Sequence, residues 1–371
     1  MNRIVSEHDG NKGVGDGDKA WTCQRHLKSL LFAQFAGLNS LREIEHALSA
    51  RPAALYHLGL RPPRRSTLGD ALAARPSAVF RDLCQHLMDA TGRKARAEGN
   101  ALIRLLDASP ILLKDPRFTW VEADARTRGL KFHLLYDPRA VQPVRFAVTS
   151  PRRSDVAMGR TLPLEKGATY VFDKGYTDYN WWQEIHRKKA FFVTRLKANA
   201  HRRDIRPAPA KGVEAAQILK VGHKKPRGGA TNLLYDTDLR EIVVAREDKD
   251  PLHLVTNDLT RPAAEIAELY KERWQIELFF KWIKQNLKIK SFLGRSENAV
   301  RTQIYVALIA FVLLSLFKNT YARAFNAGYK ALIVRLKVAL LEKFDLSTDK
   351  KPPPKPPQNR KPTPQLTLAI P

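Results

Sequence analysis

Tyr270, Arg273, Glu277 and Lys284 follow one another at offsets of 3, 7 and 14 from the first. In a helix turning about 100° per residue those offsets fall near −60°, −20° and −40°, so the four share one narrow stripe. Trp274, Leu278 and Lys281 flank it on one side. One acid among cations and a hydroxyl suits a metal ligand placed next to phosphate contacts. Glu277 and Lys281, four apart, also fit an ordinary exposed ion pair that adds about 0.2–0.5 kcal/mol to a helix. A solvated stripe, however, has no use for a tyrosine at its head or a tryptophan beside it.

Two further acids complete a set. Asp107 closes the mostly apolar run from Ala101, and Asp173 closes the run from Thr169. The carboxyl ends of strands are where open α/β sheets bind ligands, although either aspartate alone is equally explained by strand-end solvation. Three carboxylates from two strand ends and a helix can hold two divalent ions. Magnesium prefers carboxylate oxygen together with substrate phosphate and keeps several waters. Two such ions roughly 3.5–4 Å apart activate a water or a 3′-hydroxyl for in-line displacement at phosphorus. Arg273 and Lys284 would neutralise phosphates beside the scissile one, the first with a planar fork and the second as a point charge.

The elements that must position these residues change character along the chain. Residues 1–95 read as a helical domain. A helix over His26 to Phe35 ends at Gly37, and Ser40-Leu41-Arg42-Glu43 has the capping-box pattern. Arg61-Pro62-Pro63-Arg64-Arg65-Ser66-Thr67 is a stiff basic turn leading to a capped helix near Leu68, and Ser77 is placed to cap the next. Short helices joined by a basic turn suit a helix-turn-helix DNA reader, with Arg61, Arg64, Arg65 and Thr67 as its DNA contacts; a small bundle with a solvated arginine cluster fits as well.

Residues 96–205 read as the first part of an α/β core. Lys131 to Tyr136 and Val144 to Val148 form an antiparallel hairpin around Asp137-Pro138; a helix covers Ser154 to Gly159, another Trp181 to Arg187, and Phe191 to Arg195 is a strand. Strands in meander order, then strands alternating with helices, give a mixed sheet. Residues 206–258 look like a β-rich insertion separate from that sheet, with strands at Leu239 to Ala245 and Leu252 to Val255. Residues 259–345 return to helix: one long helix from Thr260 to about Lys288, an apolar one over Ile304 to Phe317, and one over Ala331 to Phe344. Residues 346–371, rich in proline and lysine, read as an extended, unpacked tail.

With 64 Lys and Arg against 37 Asp and Glu, the 371-residue chain carries a formal charge of +27. Such a chain attracts polyanions, nucleic acid first. Cys23 and Cys84 are too few for a disulfide framework or a four-ligand zinc site and read as buried thiols in a reducing compartment. The first twenty residues are polar and glycine-rich, unlike a signal peptide. The Ile304 to Phe317 run is shorter than the roughly 20 residues a bilayer needs and reads as a core helix.

The spacing of Tyr270, Arg273, Glu277 and Lys284 resembles the YREK signature of the insertion-sequence-four group of bacterial DDE transposases. Leu105-Leu106-Asp107-Ala108-Ser109 is similar to the segment around that family's first aspartate, apart from Ala108, which stands where a hydroxyl residue is expected. Val171-Phe172-Asp173-Lys174-Gly175-Tyr176 is similar to the second, and Phe192-Val193-Thr194-Arg195-Leu196-Lys197 to the strand that follows. Leu30 to Gly37, Ser40 to Ile44 and Leu55 to Gly59 resemble the family's amino-terminal DNA-binding region, and Arg301 to Tyr305 its closing helix.

The resemblance implies a ribonuclease-H-like mixed sheet flanked by helices and interrupted by the insertion. It implies cut-and-paste transposition at terminal inverted repeats with two divalent ions, Mg or Mn. Asp107, Asp173 and Glu277 would be the metal-binding triad. Tyr270, Arg273, Lys281 and Lys284 would contact transposon-end DNA. A homodimer on paired double-stranded ends and on target DNA is implied too, in the bacterial cytoplasm at the nucleoid. Some members of the family form a hairpin with a flipped base on an aromatic, for which Trp181, Trp182 and Trp274 are candidates, core packing being the commoner fate. A decayed or domesticated DNA-binding copy and a nuclease without strand joining are the competing readings; keeping all three acids argues against the first of these.

Overall fold

The computed structural model describes residues 1–15, 17, 20–50, 52–56, 58–97, 102–124, 127–247, 249–286, 292–320 and 328–339. Its amino-terminal part is helical: α1 (Asn2–Glu7), α2 (Cys23–Ala36), α3 (Leu41–Ser49), α4 (Pro52–Tyr56), α5 (Arg65–Ala74) and α6 (Ser77–Ala97). Helix α2 starts before His26 because the Thr22 hydroxyl accepts the Arg25 N–H, and it ends at Gly37, whose left-handed φ of 76° lets its N–H reach the Ala33 carbonyl. At α3 Ser40 Oγ accepts the Glu43 N–H at 3.1 Å, while the Glu43 carboxylate reaches back to the N–H of Asn39, one residue earlier than the expected Ser40.

Two expected caps are different. Helix α5 begins at Arg65, three residues before Leu68, and Arg64 at its start makes no side-chain cap. Ser77 is the first residue of α6 and not its cap; its N–H is taken by Asn298 Oδ1 at 2.9 Å. The Asn298 amide also donates to the carbonyls of Leu72 at 3.0 Å and Arg75 at 2.8 Å. The partner lies 221 residues away in sequence, beyond the reach of local pattern. Cys23 and Cys84 are buried free thiols, as expected.

The strands are β1 (Ile103–Leu112), β2 (Gly129–Asp137), β3 (Gln142–Thr149), β4 (Thr169–Phe172), β5 (Phe191–Arg195), β6 (Arg202–Pro207), β7 (Ala215–Val221), β8 (Leu239–Arg246) and β9 (Lys249–Thr256), with α7 (Asp155–Gly159) after β3 and α8 (Tyr179–Arg187) after β4. All nine make one sheet in the order β3-β2-β1-β4-β5-β9-β8-β7-β6. The first three form an antiparallel meander, and β4 and β5 run parallel to β1.

The expectation of an insertion separate from the sheet is therefore corrected. Strand β9 pairs antiparallel with β5, Val193 opposite Thr256, so β6 to β9 continue the sheet. Without β9 the buried strand β5 would present a row of unpaired backbone groups. The insertion's first strand also starts at Arg202, inside the segment read as core.

Helices α9 (Ala263–Glu272), α10 (Trp274–Asn286), α11 (Glu297–Thr320) and α12 (Tyr329–Ala339) complete the chain. The expected single helix from Thr260 is two, parted at Arg273. There the Arg273 N–H bonds to Tyr270 O and the Ile276 N–H to Arg273 O, a tighter three-residue spacing. Helix α11 is long and apolar enough to cross a membrane by length and composition, but 78% of that window is buried against protein. It is the central core helix, as its apolar run suggested. Lys288, Phe344 and the whole of 346–371 fall outside the described residues.

Period-two alternation sends β1 and β4 side chains to opposite layers. Leu105, Val171 and Val193 join the core under α9, α10 and α11, with Ile266, Phe279 and Ile304. Leu106, Phe172 and Phe192 join a second core under α8, with Trp181 and Trp182. Asp107 and Asp173, two residues beyond Leu105 and Val171, therefore face α10.

Candidate active site

Three elements converge on the acids. Strands β1 and β4 pair in parallel with Leu106 opposite Phe172, which puts the next residues, Asp107 and Asp173, side by side. Asp107 does not end its strand, as the sequence suggested; β1 runs on to Leu112 because β2 continues to pair with it. On the β4 side, however, pairing stops at Leu106, and that gap is where the two carboxylates meet. Helix α10 lies across them and contributes Glu277.

Arg273 knits the group together. Its Nη2 is 2.6 Å from Glu277 Oε1 and its Nη1 is 3.7 Å from Asp107 Oδ2. The Tyr270 hydroxyl donates to Asp173 Oδ1 at 3.4 Å. Lys284 Nζ donates to Ser109 Oγ at 2.6 Å. The four residues of the stripe thus all face the strand ends, despite the helix break. The alternative Glu277–Lys281 ion pair is not formed, since Glu277 turns to Arg273; Lys281 is exposed on the outer face of α10.

Ser109 escaped the sequence reading. It lies two residues beyond Asp107 on the same face of β1, so a hydroxyl does stand near the first aspartate, one position later than expected. The period-two rule applied to Asp107-Ala108-Ser109 is the signal that finds it.

Charge is unevenly compensated. Burial pushes the Asp107 carboxyl up to about 6, and the charges of Glu277 and Asp173 push the same way, against the Ala108 N–H and Arg273. Burial likewise raises Tyr270 to about 12, keeping its hydroxyl a donor. Three converging carboxylates with one guanidinium between them are short of positive charge, and an all-oxygen donor set with open space fits a hard divalent cation. Among the described residues no three acidic, histidine or cysteine side chains are already closed to ligand distances. Arg273 and Tyr270 stand among the acids instead.

The remaining sequence candidates lie elsewhere. Arg61, Arg64 and Arg65 are exposed on the turn before α5 and at its start, with Thr67 half-buried behind them. Trp181 and Trp182 are fully buried under the sheet, where they pack on Phe172 and Phe192, so they are core residues and not base platforms. Trp274 is 59% exposed beside Arg273.

Residues 87–313, which include Asp107, Asp173 and Glu277, match the family described as transposase DDE domain; residues 1–61 match a domain of unknown function. A chain named as a transposase in Sinorhizobium fredii is 40% identical over 302 residues, covering 81% of this chain and 84% of that one. A transposase named for insertion sequence element IS5377 of Geobacillus stearothermophilus is 25% identical over 326 residues, 85% of this chain and 82% of its own. Among solved structures, a piggyBac transposase synaptic complex with hairpin DNA superposes over 95% of this chain and 78% of its own, with a TM-score of 0.50 and 10% identity, a likeness of fold alone.

Proposed function

The chain belongs to the transposase DDE domain family and is a DNA transposase, and on that premise we propose that Asp107, Asp173 and Glu277 are its catalytic acids, holding two divalent ions, Mg or Mn. When bound, the ions would activate the attacking oxygen and stabilise the leaving one. The chain's own residues position the substrate. Asp107 and Asp173 present neighbouring carboxylates on a rigid sheet, and Glu277 closes over them from α10. As DNA enters, Arg273 would turn its fork from the carboxylates to a phosphate, and Tyr270 and Lys284 would hold adjacent phosphates, with Lys281 available from the exposed face.

Two displacements act on the strand that is joined to the target, the other strand being severed separately. Water attacks phosphorus at the element's end and the P–O3′ bond breaks, leaving a 3′-hydroxyl. That hydroxyl then attacks a phosphodiester of target DNA, expelling a second 3′-oxygen. We assign the ends to terminal inverted repeats read by the helical residues 1–95, with Arg61, Arg64, Arg65 and Thr67 as contacts. Paired ends call for two copies of the chain, and the work belongs at the bacterial nucleoid. Residues 206–258, as the insertion, precede residues 259–345, which hold the catalytic helix with Glu277 and the closing helices of the core.

The observation that carries this reading is the meeting of acids from β1, β4 and α10 at one guanidinium–tyrosine pair. Asp107→Ala, Asp173→Ala and Glu277→Gln should each abolish metal-dependent cleavage of DNA flanking the chain's own gene while binding to that DNA survives. Cleavage retained by any of them would falsify the assignment. Strand joining to a target plasmid separates a transposase from a nuclease with the same core.

A further inference from the structure

A groove of about 950 Å³ opens on the β5 side of Asp173, between the ends of β4 and β5 and the β8–β9 hairpin. Lys174, Arg195, Lys197 and Arg246 line it, against Asp173 and Asp250. Its position follows from the sheet. Val171 lies opposite Val193, so Arg195 stands level with Asp173, and Asp107, Asp173 and Arg195 form a row across three neighbouring strands.

The cations are available. Among the described residues no carboxylate or hydrogen-bond acceptor engages the side chains of Lys174, Arg195 or Lys197, and Arg246 bonds only to the backbone carbonyl of Asp250. Arg202, also on the wall, is by contrast committed to the buried Glu241 at 2.8 Å. A second groove, about 540 Å³, lies on the opposite side of the acids, along the β1 extension beyond Ser109, and carries Lys284 and Arg295. A strand whose scissile phosphate sits over the acids must leave in two directions, and a basic groove leads away in each.

We propose that the groove beyond Asp173 holds the DNA strand as it continues past the scissile phosphate, on the side opposite to Lys284, with Lys197 and Arg246 as its outer phosphate contacts. This rests on the assignment of the acids above. The insertion then has a physical role in DNA binding, because β8 and β9 form the outer wall of a channel that begins at Asp173. A sheet that carries on without a break keeps that wall in line with the acids.

Phosphate ethylation interference on the chain's own end DNA, with the full chain, tests this. Lys197→Glu combined with Arg246→Glu should lose a block of phosphates on one side of the cut, and Lys284→Gln a block on the other. The doubly changed chain should also lose about 2 from the slope of log affinity against log salt, at roughly 0.9 per phosphate. Lys197→Gln with Arg246→Gln, a gentler change at two exposed positions, should weaken the same phosphates less. An unchanged pattern and slope, or losses on the same side as Lys284→Gln, overturns the proposal. A wild-type chain that shows both blocks yet does not cut would leave the groove standing and remove the assignment of the acids.

Discussion

Asp107 is held against its own preference. Its carboxyl is raised to about 6, mainly by burial, whereas an unfolded aspartate titrates near 3.9. The folded chain therefore favours the protonated form: that contribution to stability is full below about pH 4 and is lost as pH rises from about 4 through 6. At pH 7 without metal the folded protein carries the cost. Asp107→Asn should raise the melting temperature of the metal-free chain at pH 7, by the equivalent of about 1–3 kcal/mol, and magnesium should stabilise the wild type more than the variant. A variant that melts lower in chelator would show that the carboxylate is satisfied by Arg273 alone. Ser109 offers a second measurement. Ser109→Ala removes the acceptor that holds Lys284 and should slow cleavage roughly fivefold, about 1 kcal/mol, with Ser109→Thr restoring it. Equal rates for Ala and Thr would refute that role. The stripe of Tyr270, Arg273, Glu277 and Lys284 could be read from spacing because helical periodicity is local, whereas the strand-end reading of Asp107 was overturned by the continued pairing of β1 with β2. Ser109 was missed because its meaning depends on a lysine 175 residues away.

At the scale of elements, the amino-terminal helices contain a buried liability. His26 on α2 is fully buried, neither ring nitrogen has a partner among the described residues, and burial drives its pKa down to about 3. It folds neutral, so its contribution to stability is present above about pH 6.5 and is lost as pH falls towards 3. His26→Leu should stabilise the chain at pH 7 by about 1 kcal/mol and more at pH 5; thermal melts at the two pH values check this, and equal gains at both would mean that the ring is not the titrating group. Gly222 ties the insertion to α8. Its φ is +76°, and a Cβ there would lie 2.7 Å from the Tyr179 ring, so Gly222→Ala should destabilise by more than about 1 kcal/mol. A denaturant midpoint unmoved by the change would show that the turn can relax. Most strands and helices were legible from their period. The break at Arg273 was not, because the apolar pattern runs through it. Nor was the joining of β9 to β5, since alternation within a strand does not name its neighbour.

For the whole molecule, +27 charges on one chain make DNA affinity a function of salt before anything else. Binding to end DNA should fall steeply between 50 and 200 mM salt, by orders of magnitude if about six or more phosphates are contacted; a flat isotherm would contradict an extended phosphate-tracking surface. The fold class was legible because meander order and helix periodicity agree, but the way one half is mounted on the other was not. Asn298 is the polar part of the fastening: beside the apolar core that α1, α2 and α6 share with α11, one amide on α11 grips the carbonyls of Leu72 and Arg75 and the N–H of Ser77. The consequence is a calliper. On the proposed reading, in which the amino-terminal helices recognise a motif and the acids cut, helices bolted to the frame that carries the acids would set the count of base pairs from motif to severed bond by protein geometry and not by the flexibility of DNA. Loosening that bolt with Asn298→Ala should spread a single incision over neighbouring nucleotides on a sequencing gel, and an undiminished single band would mean the jaw spacing is held elsewhere.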